Sequence, residues 1–546
     1  MDLAFRVKMK HLVLNKAMLV GIVSLIGSVS AVVLSNGHTT KALNTESKNI
    51  EVTQIAVTQV AQEKSYILQG LSLTGLVKAV EHAGGMVSRE FPIINAISAL
   101  LTSDQVSLLA STTGLRVMED RTVLTESVSK KFIIDTNITT QINANSAHDM
   151  GITGHGVTVA VLDSGMLLDG TKGAHLLNNT IGNNRVLAIY DAILGNKTNS
   201  LNTDKNGHGT HISGIIASSL EDEFGNYNGI APNANLISVK AFDNNGVGSY
   251  SDTLDGLNWI YKNRRAYNIR VLNLSLGAEV RSNYWNDPIN QAVMKLWNAG
   301  VVVTSAGNSG SDYGSITVPG NNPYVITVGA ITDSYTPYDY SDDRMVTFSS
   351  QGPTYEGFVK PDLVTYGGHV SAKLDSALVD AGFDESATGE YYNTVSGTSQ
   401  SSAVVAGTVA LMLQYNSSLS PDQIKCRLMS STNTSVIGNS NPFAEGAGLV
   451  DAFAAINSVA DNCANQGLDI QADMAGTEHF SGPTQIDANG EFYIQSSEGV
   501  VWSEAGLWAE AGLWAEAGLW AEAGLWAEAG LWTEESVETQ NSSTDD

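Results

Sequence analysis

Cysteine is nearly absent. The chain carries Cys426 and Cys463 and no others in 546 residues. Neither lies in a cluster of metal-ligand residues, which argues against a zinc site. In a secreted protein the two can pair; as separate thiols they would be inert packing, and the sequence leaves both readings open. Basic residues are scarce as well. Twenty-nine Lys and Arg stand against 56 Asp and Glu, a net charge of −27. A phosphate backbone demands a basic surface, so nucleic acid is excluded as a partner, while the acidity favours solubility. Long apolar runs are missing too, with one exception. Ala17 to Leu34 is apolar, follows Arg6, Lys8, Lys10 and Lys16, and contains the small residues Ser28-Val-Ser-Ala31. Residues 1–34 therefore read as a secretory signal peptide. An uncleaved anchor is the competing reading, disfavoured because no positive flank follows the run. No other segment is long and apolar enough to cross a membrane.

What is present is a normal core composition, 43% hydrophobic, in a length that implies several domains or one large domain with appendages. Residues 35–64 are polar and unpatterned and read as a linker. From 65 to 123 the pattern changes. Tyr66–Leu68 reads as a strand and Leu73–Ala83 as a helix ended by Gly84-Gly85. Met86–Phe91 and Ile94–Leu101 read as strands, Ser103–Ala110 as a helix capped by its serine, and Leu115–Met118 as a last strand. The order β-α-β-β-α-β predicts a small α+β, ferredoxin-like domain. Over 136–462, short β-rich apolar runs alternate with helical stretches. The runs are Val157–Leu162, Leu236–Ala241, Val271–Leu274, Val301–Ser305 and Tyr324–Val328; the helices begin near His208, Ser251, Pro288, Ala403 and Pro421. This predicts an α/β fold, a mostly parallel sheet with helices on both faces. Ser420-Pro-Asp-Gln423 is a complete helix start, and Gly446–Asp451 leads into the last core helix.

Residues 466–501 are polar and weakly patterned and read as a second linker, dispensable for any chemistry upstream. Over 502–534 the unit Glu-Ala-Gly-Leu-Trp-Ala repeats with period six, marked by Trp502, Trp508, Trp514, Trp520, Trp526 and Trp532, before an acidic tail at 535–546. An even period keeps every Trp on one face of an extended strand, whereas on a helix the indoles point three ways. The repeat therefore reads as extended, or as a low-complexity tail without a role; if it has one, its indoles call for contact with a partner surface.

The chemistry-bearing stretch is Asn393-Thr-Val-Ser-Gly-Thr-Ser-Gln-Ser-Ser-Ala403, followed by an apolar run to Leu413. It places Ser399 at the start of a buried helix, where unpaired N–H groups and the helix dipole favour an oxyanion. The bland reading is a capping serine. A serine nucleophile needs a base and the base an orienter. Upstream, Asn206-Gly-His-Gly-Thr-His211 holds His208 between glycines, and the apolar run Val157–Leu162 stops at Asp163, the carboxyl end of a strand. His211 has no third ligand nearby and reads as a structural histidine.

The order Asp163, His208, Ser399, together with Val303-Thr-Ser-Ala-Gly-Asn-Ser309, resembles the subtilisin-like serine peptidases (subtilases) over roughly residues 145–460. The resemblance implies Ser399 as nucleophile, His208 as base, Asp163 as its orienter and Asn308 as oxyanion donor. It implies that Gly246-Val247-Gly248 and Ser275-Leu276-Gly277 hold substrate as a third strand, and that residues 65–123 are an inhibitory propeptide. The chain departs from the family at Gln400, where methionine is usual, and at Ser401, Ala403 and Val404. These changes bear on the leaving-group side of the cleft and remove no proton-transfer group. Family members often bind calcium; no ligand-spaced loop stands out here, so structural calcium is an expectation without ligands, and the chemistry requires no cofactor. The expectation is a secreted serine endopeptidase made as a zymogen. It would act on polypeptide substrates, with its own propeptide as inhibitor and no membrane attachment. The alternative is a catalytically weak scaffold or adhesion protein using the Trp repeat. That reading predicts a damaged site, yet Asp163, His208, Asn308 and Ser399 are all present.

Overall fold

The computed structural model describes residues 63–125, 138–168, 170–222, 225–373, 392–434, 441–496 and 499–503. The signal-like segment, nearly all of the first linker, the hexad repeat beyond Ser503 and the acidic tail lie outside the described residues.

The first elements are β1 (Lys64–Gln69), a helix Leu73–His82, β2 (Met86–Phe91), β3 (Ala96–Leu101), a helix Ser103–Ala110, β4 (Arg116–Glu119) and β5 (Thr122–Thr125). Four strands pair antiparallel in the order β2-β3-β1-β4. Leu76, Val80 and Leu109 from the helices meet Leu68, Ile97, Ala99 and Leu101 from the sheet in one core. The first helix starts where Ser72 Oγ accepts from Gly75 N at 3.1 Å, and Gly84 follows its end at φ +76°. Two boundaries differ from the sequence reading. β3 starts at Ala96, because Asn95 at φ +53° makes a turn of the preceding residues. The second helix is capped one residue earlier, by Thr102, whose N–H donates to Gln105 Oε1 at 2.8 Å while its Oγ1 accepts from Gln105 N at 3.4 Å.

The strands that follow are β6 (Thr158–Asp163), β7 (Val186–Asp191), β8 (Asn196–Lys197), β9 (Asn235–Lys240), β10 (Val247–Ser249), β11 (Ile269–Leu274), β12 (Leu276–Gly277), β13 (Val301–Ser305), β14 (Ile326–Thr332), β15 (Arg344–Met345) and β16 (Leu363–Tyr366). The central sheet runs β16-β14-β13-β11-β6-β9-β7 with all these pairs parallel; β8 and β15 add antiparallel edges. Every residue of β6, β13 and β14 is buried, which is why these strands read as unbroken apolar runs rather than alternating ones. The helix Thr398–Tyr415 is buried from Thr398 to Leu413 and packs on β11, β13 and β14 and on the helix His208–Ala217. An α/β architecture is thus observed as expected. Ser420 and Gln423 form the predicted capping box of the helix Pro421–Ser430, and Cys426 and Cys463 are disulfide-bonded.

Of the stretch read as a linker at 466–501, residues 466–496 and 499–501 are folded. It holds a helix Ile470–Ala475 and the strands β19 (Thr484–Ile486), β20 (Phe492–Ser496) and β21 (Gly499–Ser503), which pair antiparallel; β17 (Val370–Lys373) and β18 (Tyr392–Val395) precede it as a separate pair. Asp473 is buried and accepts from Tyr284 Oη at 2.6 Å and Tyr324 Oη at 3.0 Å, while Ile494 packs with Val359 and Phe443. Tyr284, Tyr324 and Val359 lie more than 100 residues away in sequence and Phe443 about half that, so local pattern carried no sign of them.

Candidate active site

β6 delivers Asp163, fully buried, to its carboxyl end, and the helix His208–Ala217 begins beside it at Gly207, φ +97°. Asp163 Oδ1 accepts from His208 Nδ1 at 2.7 Å and from Ser164 N at 2.7 Å. Gly209 permits that approach, since a Cβ there would stand 2.2 Å from Gly165 O and 3.1 Å from Asp163 Cβ. Beneath this pair lies a carboxylate that the sequence reading missed. Asp204 is fully buried and accepts from Ser164 Oγ at 3.0 Å, Gly207 N at 2.8 Å, Thr210 N at 2.9 Å and Thr210 Oγ1 at 2.6 Å. It clamps the turn that presents His208 to the residue that follows Asp163. Lys240 Nζ donates to Ser164 O and Phe242 O, each at 2.7 Å, and burial holds that ammonium below its ordinary range. The available signal was Asp204 itself, an acidic residue in the turn-rich Thr203-Asp-Lys-Asn-Gly207 directly before His208.

Ser399 lies in the first turn of its helix, fully buried, with Oγ 3.5 Å from Ser275 O. Ser275 Oγ in turn donates to Ser399 O at 3.1 Å. Asn308 Oδ1 accepts from Thr398 N at 3.0 Å and Thr398 Oγ1 at 2.9 Å, which ties the Asn308 loop to the residue before Ser399. Gln400 is fully buried. His211 is buried on the His208 helix, and among the described residues no group of His, Cys, Asp and Glu is arranged to hold a metal ion. The structure therefore brings the motifs around Asp163, His208, Asn308 and Ser399 to one place, joined by packing between the helices that carry His208 and Ser399.

The two segments expected to take an extended chain already hold one. β5 lies between β10 and β12, antiparallel to both. Leu124 is paired with Val247 on one side and Gly277 on the other, Thr125 with Leu276, and Thr125 N donates to Gly246 O at 3.2 Å. Val123 is fully buried in this sheet while Leu124 is half exposed. The strand is anchored at its start. Arg121 Nη2 donates to Asp287 Oδ2 at 2.8 Å and to Tyr250 Oη at 2.6 Å, and its guanidinium lies 4.5 Å over the Tyr250 ring. Asp120 Oδ1 accepts from Ser251 N at 2.8 Å, at the N-terminus of the helix Tyr250–Asn263, where a carboxylate is favoured. Arg89 Nη1 pairs with Asp252 at 2.9 Å.

Comparison with known proteins agrees with this geometry. The subtilase family profile matches residues 154–448, 295 of 546 positions and so more than half the chain. The chain belongs to the subtilase family. This subtilase is 35% identical to serine protease AprX of Bacillus subtilis over 401 residues, covering 70% of this chain and 84% of that protein. It is 30% identical to subtilisin E of the same species over 402 residues, covering 72% of this chain and 90% of that one. The subtilase also superposes on the crystal structure of fervidolysin from Fervidobacterium pennivorans, a keratinolytic enzyme related to subtilisin. The TM-score there is 0.59 at 22% identity, over 74% of this chain and 62% of that one, a likeness of fold. With these relatives the protein is a subtilisin-like serine endopeptidase, and polypeptides are its substrates.

Proposed function

We propose that this subtilase is a secreted endopeptidase made as a zymogen, working through Asp163, His208 and Ser399 with Asn308 as oxyanion donor. The observation that carries the proposal is the 2.7 Å bond between Asp163 Oδ1 and His208 Nδ1, made by a helix packed on the one that Ser399 opens. That bond holds the imidazole with its proton on Nδ1, leaving Nε2 as the base. Ser399 Oγ attacks the substrate carbonyl carbon as Nε2 takes its proton; the tetrahedral oxyanion collapses, the C–N bond breaks, and the imidazolium returns the proton to the leaving amine. Water then repeats the sequence on the acyl ester and frees Ser399. With Asn308 Oδ1 committed to Thr398, the protons the side chain has to give are on Nδ2, and the first-turn N–H of Ser399 is the second donor. Gly246–Gly248 and Ser275–Gly277 bind substrate main chain as an added strand, an affinity nearly independent of sequence. β5, seated between them, supports the reading of residues 65–123 as a propeptide that blocks the cleft until cut. Residues 1–34 direct export, and the Trp repeat makes contact with a surface outside the enzyme.

Ser399→Ala tests the proposal directly. The variant is expected to lose casein and peptide-amide hydrolysis and to stay uncut as one chain including residues 65–123. Purified variant that still processes itself efficiently would overturn both the nucleophile and the zymogen reading.

A further inference from the structure

At its start, the helix Thr398–Tyr415 turns three side chains toward the sheet. Thr398 holds Asn308 Oδ1 with its N–H and Oγ1, Ser401 Oγ donates to Thr365 O at 3.2 Å, and Ser402 Oγ lies 2.9 Å from Ser275 Oγ. Gln400 takes no part in these contacts. At 3.6 residues per turn it stands about 200° round the helix from Thr398. Gly407 shares that face, and a Cβ there would meet Ile230 Cβ at 2.6 Å, in the segment that follows the helix His208–Ala217. Gln400 therefore lies on the side of the His208 helix, away from Asn308. It is fully buried, and neither Oε1 nor Nε2 has a hydrogen-bond partner among the described residues. An amide removed from water in this way costs the fold stability unless something else bonds it.

The side-chain amide offers an acceptor oxygen and an NH2 donor, and a peptide group offers the complementary C=O and N–H, so the two can pair as main chains do. Methionine, usual at this position in the subtilases, has a weak acceptor and no donor. His208 returns a proton to the leaving amine, so the segment that leaves passes on the His208 side. We propose that Gln400 grips the leaving segment of the substrate. Its Nε2 donates to the carbonyl, and its Oε1 accepts from the N–H, of the first intact peptide group beyond the cut bond. The inference rests on Ser399 as the nucleophile. It makes the enzyme favour polypeptides that continue at least two residues past the cut over those with a small leaving group.

Gln400→Met keeps the volume and removes the amide. Two substrates with one acyl part test it: a peptide running three residues past the cut, and the p-nitroanilide, which has no peptide group there. Gln400→Met is expected to lower the peptide-to-anilide ratio of kcat/KM about tenfold, the worth of a shielded hydrogen bond. N-methylating the first peptide group beyond the cut removes its N–H and should cost the parent enzyme about tenfold more than the variant. In the Ser399→Ala background, which prevents self-digestion, Gln400→Met should unfold at least about 2 °C higher, since a buried amide without partners is gone. The inference is overturned if the peptide-to-anilide ratio is unchanged, if N-methylation costs both enzymes the same, or if Gln400→Met unfolds at a lower temperature, which would make the amide a support of the fold. Those outcomes leave the nucleophile standing. Anilide hydrolysis that survives Ser399→Ala would overturn the nucleophile, and this inference with it.

Discussion

Asp204 touches neither a reacting atom nor substrate; its effect runs through the backbone that carries His208. Five N–H and O–H groups, that of Asn206 N at 3.0 Å included, converge on a carboxylate removed from water, where each charge-assisted bond is worth more than a neutral one. Asparagine keeps one acceptor oxygen and puts donors where donors already point. Asp204→Asn is therefore expected to lower kcat roughly 10–100-fold with KM little changed, because misorientation is felt in the transition state. Equal kcat in steady-state assays on a short peptide would show that the clamp is structural only. Glu356 behaves differently. It is buried beside Tyr284, and burial pushes its carboxyl up to about 7 although Tyr284 N donates to it at 2.8 Å. The folded state then holds the proton more tightly than the unfolded chain, whose carboxyl titrates near 4.5. Stability from this group is complete below pH 4.5 and is lost as pH rises through about 7. Glu356→Gln should flatten that slope, which urea unfolding across this window would read.

At the scale of elements, β5 lies as a middle strand between β10 and β12, the place proposed for substrate, and belongs to the same chain. Its pairing with β10 and β12 is generic, as main-chain pairing is, so specificity for the resident strand comes from the Arg121 anchor. Asp287 is buried, and burial raises its carboxyl, while hydrogen bonds from two N–H groups and Tyr250 and the charge of Arg121 favour its ionised form. Removing Arg121 leaves that charge with less compensation, a cost of about 2–5 kcal/mol for a buried charge pair of this kind. Arg121→Ala should loosen the cut fragment and shorten the lag before peptide hydrolysis at least tenfold. An unchanged lag in progress curves would mean the sheet alone holds the strand.

At the scale of the whole molecule, the described part of the C-terminal extension is built into the enzyme. Asp473 takes the hydroxyls of Tyr284 and Tyr324, Trp285 stacks on His479 at 4.5 Å, and Phe492 packs edge-on against Tyr313 and Phe443. Cutting after Asn465 strips partners from two buried hydroxyls and bares an apolar patch. It should lower the unfolding temperature by about 5–10 °C, at about 1–3 kcal/mol for each orphaned group. Cutting after Ser503 should leave unfolding and hydrolysis of a short peptide unchanged. Calorimetry of the two truncations decides it; equal curves would return 466–501 to the status of a linker.

The amino-acid sequence alone determined the elements and the chemistry. Short β-branched apolar runs mark strands buried on both faces, Ser420 and Gln423 mark the start of the helix they precede, Asp163 ends one such run, His208 lies between glycines, Ser399 opens a buried helix, and Asn308 stands out through the resemblance to the subtilases. Tertiary structure decided what depends on partners remote along the chain. Asp204 looks like any turn aspartate until Ser164 and Thr210 close on it, and Lys425 looks like a surface lysine of a polar helix until the 323–325 carbonyls surround it. Residues 466–496 read as loose because burial of their few apolar side chains is supplied by surfaces made elsewhere. Periodicity reports how a segment meets one flat neighbour; it is silent about a polar group whose solvent is replaced, atom by atom, by the rest of the fold.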